Sequence, residues 1–289
     1  MTRVQWLLLK TLISQAHPGR EGASLELLPP EESEAVQQAP LREASLSDFA
    51  QPLESFLNPF HPSWLFYYLE KMTEEAKGFV LQSLPFSLQE KMELSGDIIA
   101  SGRCLAPLIK DYFLTQFKEK IEQELASALP LIFLEKNPFS LLLNFSEQEL
   151  LVLVDLLGMH DLSLEIRHIV ETKRLQKIYA TLNPLQLKYL RTCLHFSDSS
   201  LSAKLNLAAW DERADPLRKA LHYRGLLRLA CALSGLSEDF MWHLCHRFDK
   251  KRGDFLLKRF SREEVPGLTP AISLQVNHAI GFIKNQKSP

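Results

Sequence analysis

The chain has 289 residues, 33 Lys and Arg against 35 Asp and Glu, a formal charge of −2 and 46% hydrophobic residues. That balance excludes a globally basic nucleic-acid binder, and the apolar fraction excludes a chain that is mostly disordered. Leucine fills about a fifth of the positions, against a usual share of about a tenth, while glycine is sparse at 11, so a soluble all-α protein of one or two domains is predicted.

Residues 1–16 carry the apolar run Trp6-Leu7-Leu8-Leu9, interrupted by Gln5 and Lys10. A secretory core needs a longer unbroken run, so an amphipathic docking helix is expected here. Residues 17–60 are punctuated by Pro18, Pro29, Pro30, Pro40, Pro52 and Pro59 and show no sustained period. Between positions 20 and 60, two arginines face eight acidic residues, a net −6. The segment reads as a flexible acidic arm or an extended surface segment, completing a first region of residues 1–60.

From His61 the helical signals are dense. Trp64, Leu65, Tyr68, Leu69 and Met72 share one helix face. Ser87 with Glu90 predicts a capping box, in which the hydroxyl accepts a free backbone N–H at a helix start. Leu105, Leu108, Ile109, Tyr112, Phe113, Phe117, Ile121 and Leu125 then form a long stripe on a helix reaching about Ser127, stopped by Pro130. Residues 61–135 are expected to make the first helical subdomain.

The second subdomain is expected over residues 136–289. Ser146 and Glu149 predict a capping box, with Gly158 as the stop of that helix. Past that stop, Leu162, Ile166, Ile169 and Val170 continue the helical pattern. Asn183-Pro184 and Asp215-Pro216 each place a cap residue before a first-turn proline, Ser237 caps a short helix, and Thr269-Pro270 opens the last one. Further breaks fall at residues 130–138 and 197–202. No strand-like alternation competes, so a multi-helix bundle or irregular helical stack is predicted. No apolar run is long enough to cross a membrane. Cys104, Cys193, Cys231 and Cys245 form no closely spaced pair, and buried reduced thiols are expected.

No phosphate loop, dinucleotide fingerprint, nucleophile elbow or HExxH helix can be written anywhere in the sequence. The densest ionisable cluster is His243, Cys245, His246 and Asp249. His243 and His246 share a helix face, but zinc needs about four converging N or S ligands, and the closely spaced thiols of a structural site are missing. No metal, cofactor or catalytic set is expected.

Two features suit a partner. Trp64, Phe66, Tyr67 and Tyr68 read as the core and rim of one helix, yet the turn is apolar all round and could offer a second face to another protein. Residues 204–262 carry thirteen cations against seven anions, a net +6. Within them Lys250-Lys251-Arg252 and Lys258-Arg259 suit an acidic protein partner or a head-group surface. Nucleic acid is disfavoured, because no exposed aromatic interleaves the run.

Two stretches are familiar. Arg224-Gly225-Leu226-Leu227-Arg228-Leu229-Ala230, then Trp242-His243-Leu244, His246, Asp249 and Arg252-Gly253, resemble the K-component (YscK/SctK) family of bacterial type III secretion sorting platforms. His61-Pro62-Ser63-Trp64-Leu65 with Leu84-Pro85 is similar to a helix pair in the flagellar switch protein FliG, where that family prefers Gln and a small residue at positions 63 and 64. The first resemblance implies a non-enzymatic cytoplasmic adaptor for protein transport in a virulence apparatus. Such a protein would lie peripherally at the inner-membrane face and join the ring's cytoplasmic domain to pod and ATPase-stalk proteins. Partner-binding residues are then expected at Trp64, Tyr67, Tyr68, Arg224, Arg228, Trp242, Lys250, Lys251, Arg252, Lys258 and Arg259. The alternatives are a FliG-like ring protein and a helical metal-dependent enzyme using His243 and His246.

Overall fold

The computed structural model describes residues 3–16, 18–19, 21–39, 57, 59–93, 105–125, 129, 131–195, 205, 207 and 210–286. Among them are fourteen α-helices, two short 3₁₀ turns and no strand, so the fold is all-α. No described helix is long and apolar enough to cross a membrane. The chain divides into two compact units: Met1–Lys136 with Glu238–Lys250, and Asn137–Ser237 with Lys251–Pro289.

The first unit begins with α1 (Arg3–Ala16), α2 (Glu21–Leu25) and α3 (Pro30–Gln38). Leu7 is buried, α1 packs on α2 and α3, and the Lys10 ammonium donates to the carbonyls of Gln37 and Ala39. Residues 21–25 and 30–38 of the expected arm are therefore helical. Pro30 supplies the fixed φ of a first helical position, and Glu31 and Glu32 suit the positive end of the dipole. Residues 40–56 of the arm, Cys104, Lys204 and the break at 197–202 lie outside the described residues.

Next come α4 (Pro62–Glu70), α5 (Glu74–Ser83), α6 (Phe86–Glu93) and α7 (Pro107–Leu125). The predicted face of α4 is buried at Trp64, Leu65, Tyr68 and Leu69. The cap of α4 is His61, whose Nδ1 accepts the Ser63 N–H at 3.1 Å. Helix α6 starts before Ser87: the Pro85 carbonyl accepts from the N–H groups of Leu88 and Gln89, so Ser87 stands inside the first turn and not at its cap. The α7 stripe is half used. Phe117 and Ile121 are fully buried, but Leu108 is 82% and Tyr112 60% exposed. The helix outruns the core that its C-terminal half packs on.

The second unit is built on α8 (Glu147–Ile166), α9 (Thr172–Thr181), α10 (Pro184–Cys193), α11 (Ala214–Ala232), α13 (Lys250–Arg259), whose first residue Lys250 groups with the first unit, and α14 (Leu268–Asn285). The short α12 (Glu238–Cys245) precedes α13 in the chain but groups with the first unit, although residues 136–289 were expected to form one subdomain. The Ser146–Glu149 box is present at α8, and Asn183 with Gln186 forms a full box at α10.

Three predicted helix ends are corrected. Helix α11 is capped by Arg213, so Asp215 falls in its first turn. Helix α14 is capped by Gly267 at φ +77°, and the Thr269 hydroxyl accepts from the Val265 N–H inside the turn. Gly158 does not end α8, which runs eight residues further. A Cβ there would stand 2.2 Å from the Leu221 carbonyl oxygen, and one on Gly225 would stand 1.8 Å from that of Val154. The two glycines let α8 and α11 cross backbone to backbone. Val170, expected on an apolar face, is 95% exposed just past α8.

Candidate functional site

In the first unit His246 is 3% exposed and lies between two indoles. Its ring centroid is 4.1 Å from that of Trp64 and 4.2 Å from that of Trp242, with Phe60 edge-on at 5.1 Å. Its Nδ1–H donates to the Trp242 carbonyl at 2.8 Å, since a carbonyl can only accept, which leaves Nε2 facing the Tyr68 hydroxyl at 3.3 Å. The Trp64 indole N–H donates to the Phe248 carbonyl at 2.9 Å. The Trp242 indole N–H is buried with no hydrogen-bond partner among the described residues.

Helix α12 also grips Leu129. Asp239 accepts the Leu129 N–H at 3.2 Å, and one turn later His243 Nε2 donates to the Leu129 carbonyl at 2.6 Å. Burial pushes the His243 pKa down, opposed by that carbonyl and by the Asp239 charge. His243 and His246 are thus committed to different neighbours and do not converge. Among the described residues, no group of three or more His, Cys, Asp or Glu could hold a metal ion. Cys193, Cys231 and Cys245 are reduced thiols, and burial raises the Cys231 pKa.

In the second unit Arg224 and Arg228, one turn apart on α11, converge on Asp161 of α8. Arg224 donates to both carboxylate oxygens at 2.8 and 3.0 Å, and Arg228 does so at 3.2 and 2.7 Å. Arg228 also donates to the Gln275 side chain. All four residues are buried, Arg228 completely. Burial alone would raise the Asp161 pKa, but hydrogen bonds and charge from both guanidinium groups outweigh it and hold the carboxyl below its ordinary range.

These placements revise the expected partner surface. Arg224 and Arg228 face the interior, and Trp64 and Tyr68 are core residues at 4% and 3% exposure. Trp242 is partly buried against that core, and Tyr67 is half-buried. The Lys250 ammonium lies over the Tyr67 ring at 4.0 Å and the Trp64 ring at 4.9 Å. Lys251, Lys258 and Arg259 are exposed on α13, with Arg259 over the Phe255 ring at 5.9 Å.

Arg252 enters an assembly the sequence reading missed. A shallow, open cavity of about 350 Å³ is lined by Asp155 of α8, by Arg218, Lys219, His222 and Tyr223 of α11, and by Arg252 of α13, above Leu226. Arg218, His222 and Leu226 fall at i, i+4 and i+8, a signal legible in the sequence only as half of a site. The partners Asp155 and Arg252 lie 67 and 30 residues from His222. His222 Nδ1 bonds Asp155 at 2.7 Å and its Nε2 accepts the Arg252 Nε–H at 2.7 Å. Tyr223 is packed edge-on against Phe255 and is 44% exposed.

No family model, curated protein or solved structure matches the chain.

Proposed function

We propose that the protein is a non-enzymatic adaptor of a bacterial type III secretion sorting platform, working on the cytoplasmic side between the inner-membrane ring and the cargo-sorting and ATPase assembly. The observation that carries this reading is the division of the cations of α11 and α13. Arg224 and Arg228 are spent on Asp161, whereas Lys219, Lys251, Lys258 and Arg259 stand exposed on the second unit. Cations presented this way steer an acidic partner and set its register more than they add affinity.

The resemblance to the K-component family supports the reading in a particular way. Arg224, Gly225, Leu226, Arg228, Leu229 and Ala230 are all buried, and Trp242, His243, Leu244 and His246 bind α12 into its unit. Residues of this kind specify a scaffold, which is what an adaptor family would hold in common. A second apolar surface is available in the first unit, where Leu108 and Tyr112 are exposed on α7 and Phe113 of the same helix stacks on Phe79 of α5 at 4.7 Å. A docking partner there would differ in chemistry from one recruited by the cations.

The test is affinity purification of the tagged protein from its native cell, followed by mass spectrometry. Co-recovery of ring proteins and an export ATPase is expected. Recovery of the protein as self-assembled arcs without them would favour a FliG-like ring protein instead.

A further inference from the structure

The cavity between α8, α11 and α13 gathers charge in a way the fold does not require. Arg218, Lys219 and Arg252 line it against one carboxylate, Asp155, leaving a formal +2. Elsewhere in the same unit, two guanidinium groups close directly on the carboxylate of Asp161. Here the imidazole of His222 is interposed. Its Nδ1–H is fixed by Asp155, so its Nε2 must accept, and it holds the Arg252 guanidinium through Nε–H. The carboxylate therefore orients Arg252 through His222 and sits on the far side of the imidazole.

The other walls are similarly held. Arg218 Nε donates to the Thr181 carbonyl at 3.0 Å, and Tyr223 is seated on Phe255. Asp215 approaches Arg218 only to 3.9 Å and is 83% exposed, so solvent screens it and the cavity keeps its sign. Lys219, the next residue of α11, adds an exposed ammonium to the lining.

We propose that this cavity is a binding site for a phosphoryl oxyanion, with Arg252 and Lys219 as the principal contacts and His222 and Asp155 as positioning residues. The charge decides the class. A phosphomonoester carries about −1.5 to −2 at neutral pH, which matches the lining, whereas one carboxylate would leave it positive. A guanidinium held in a fixed plane suits the paired acceptor oxygens of phosphate. The pocket is broadly open to solvent, so a phosphoryl group can reach its lining with the rest of the ligand outside. This inference is independent of the adaptor reading.

The experiment is calorimetric titration of the full chain with inorganic phosphate at constant ionic strength. Saturable one-to-one binding is expected, weakened about tenfold or more in Arg252→Gln and in Lys219→Gln, and unchanged in Lys173→Gln, an exposed control on α9. Asp155→Asn separates a built site from a positive field. The built site loses affinity as His222 and Arg252 lose their orientation, whereas tighter binding in that variant would overturn the proposal. Sedimentation with phosphatidylcholine vesicles containing phosphatidic acid identifies the source. Arg252-dependent sedimentation means a lipid head group, and phosphate binding without sedimentation means a soluble ligand. No saturable phosphate binding and no Arg252-dependent sedimentation, with all variants folded by circular dichroism, would overturn it.

Discussion

The second unit closes by bringing backbones together, and the first closes around rings. At the α8–α11 crossing, Gly158 and Gly225 remove the Cβ atoms that would strike carbonyl oxygens, and the Asp161–Arg224–Arg228 cluster locks the same two helices within one turn of those glycines. In the first unit the space is filled by Phe60, Trp64, Trp242 and His246, and the Trp64 and His246 N–H groups each donate to a backbone carbonyl. One leucine-rich composition therefore supports two packing solutions. The difference teaches where each is fragile: the second unit at a few atoms that cannot move, the first at side chains that can be exchanged for others of similar shape.

The largest expected effect is in the second unit. Asp161→Ala leaves two buried guanidinium groups without their carboxylate and should cost about 3–5 kcal/mol in urea unfolding. A loss below about 1 kcal/mol would mean that the cluster is not structural. Gly225→Ala follows, at about 1–3 kcal/mol or more, because the atom in the way is a backbone oxygen and not a flexible side chain.

The first unit should discriminate more finely. Trp64→Phe removes the donor to the buried Phe248 carbonyl and should cost about 1–3 kcal/mol beyond its lost packing. Trp242→Phe removes an N–H that has no partner among the described residues, so its lost packing is partly offset and thermal unfolding should place it nearer the parent than Trp64→Phe. The reverse order would break the account of this aromatic cluster.

Acid should also separate the two. Burial lowers the folded-state pKa of His243, so the unfolded chain takes up that proton first. The stability from neutral His243 is complete above about pH 6.5 and is lost as pH falls through the lower folded value. Asp161 has the same sign, but its contribution is lost only below about pH 3.9. His278 in the second unit is also lowered, by burial and then by His160, yet it is only half-buried and contributes less. Hydrogen exchange at pH 7 and pH 5 should show lost protection in α12 first, and His243→Gln should remove that difference.

The fold class, the buried face of α4 and the caps at Ser146 and Asn183 were legible in the sequence because they depend on near neighbours. Gly158 was misread as a stop because an α-helix tolerates glycine where another backbone must approach, and only α11 reveals that. Arg224 and Arg228 counted as surface charge because their carboxylate lies more than 60 residues away on α8. The long stripe of α7 promised burial along its whole length, but periodicity does not report whether a partner helix reaches Leu108 and Tyr112. The cavity around His222 escaped for the same reason, its three helices being distant in the chain.

The claim at the centre is that the familiar motif residues hold the scaffold while exposed cations of the second unit make contact. The direct measurement is affinity purification of the triple variant Lys251→Glu, Lys258→Glu, Arg259→Glu beside the parent, with melting temperatures recorded for both. The account predicts an unchanged melting temperature and loss of at least one partner that the parent recovers. Full recovery of every partner by a folded triple variant would contradict it.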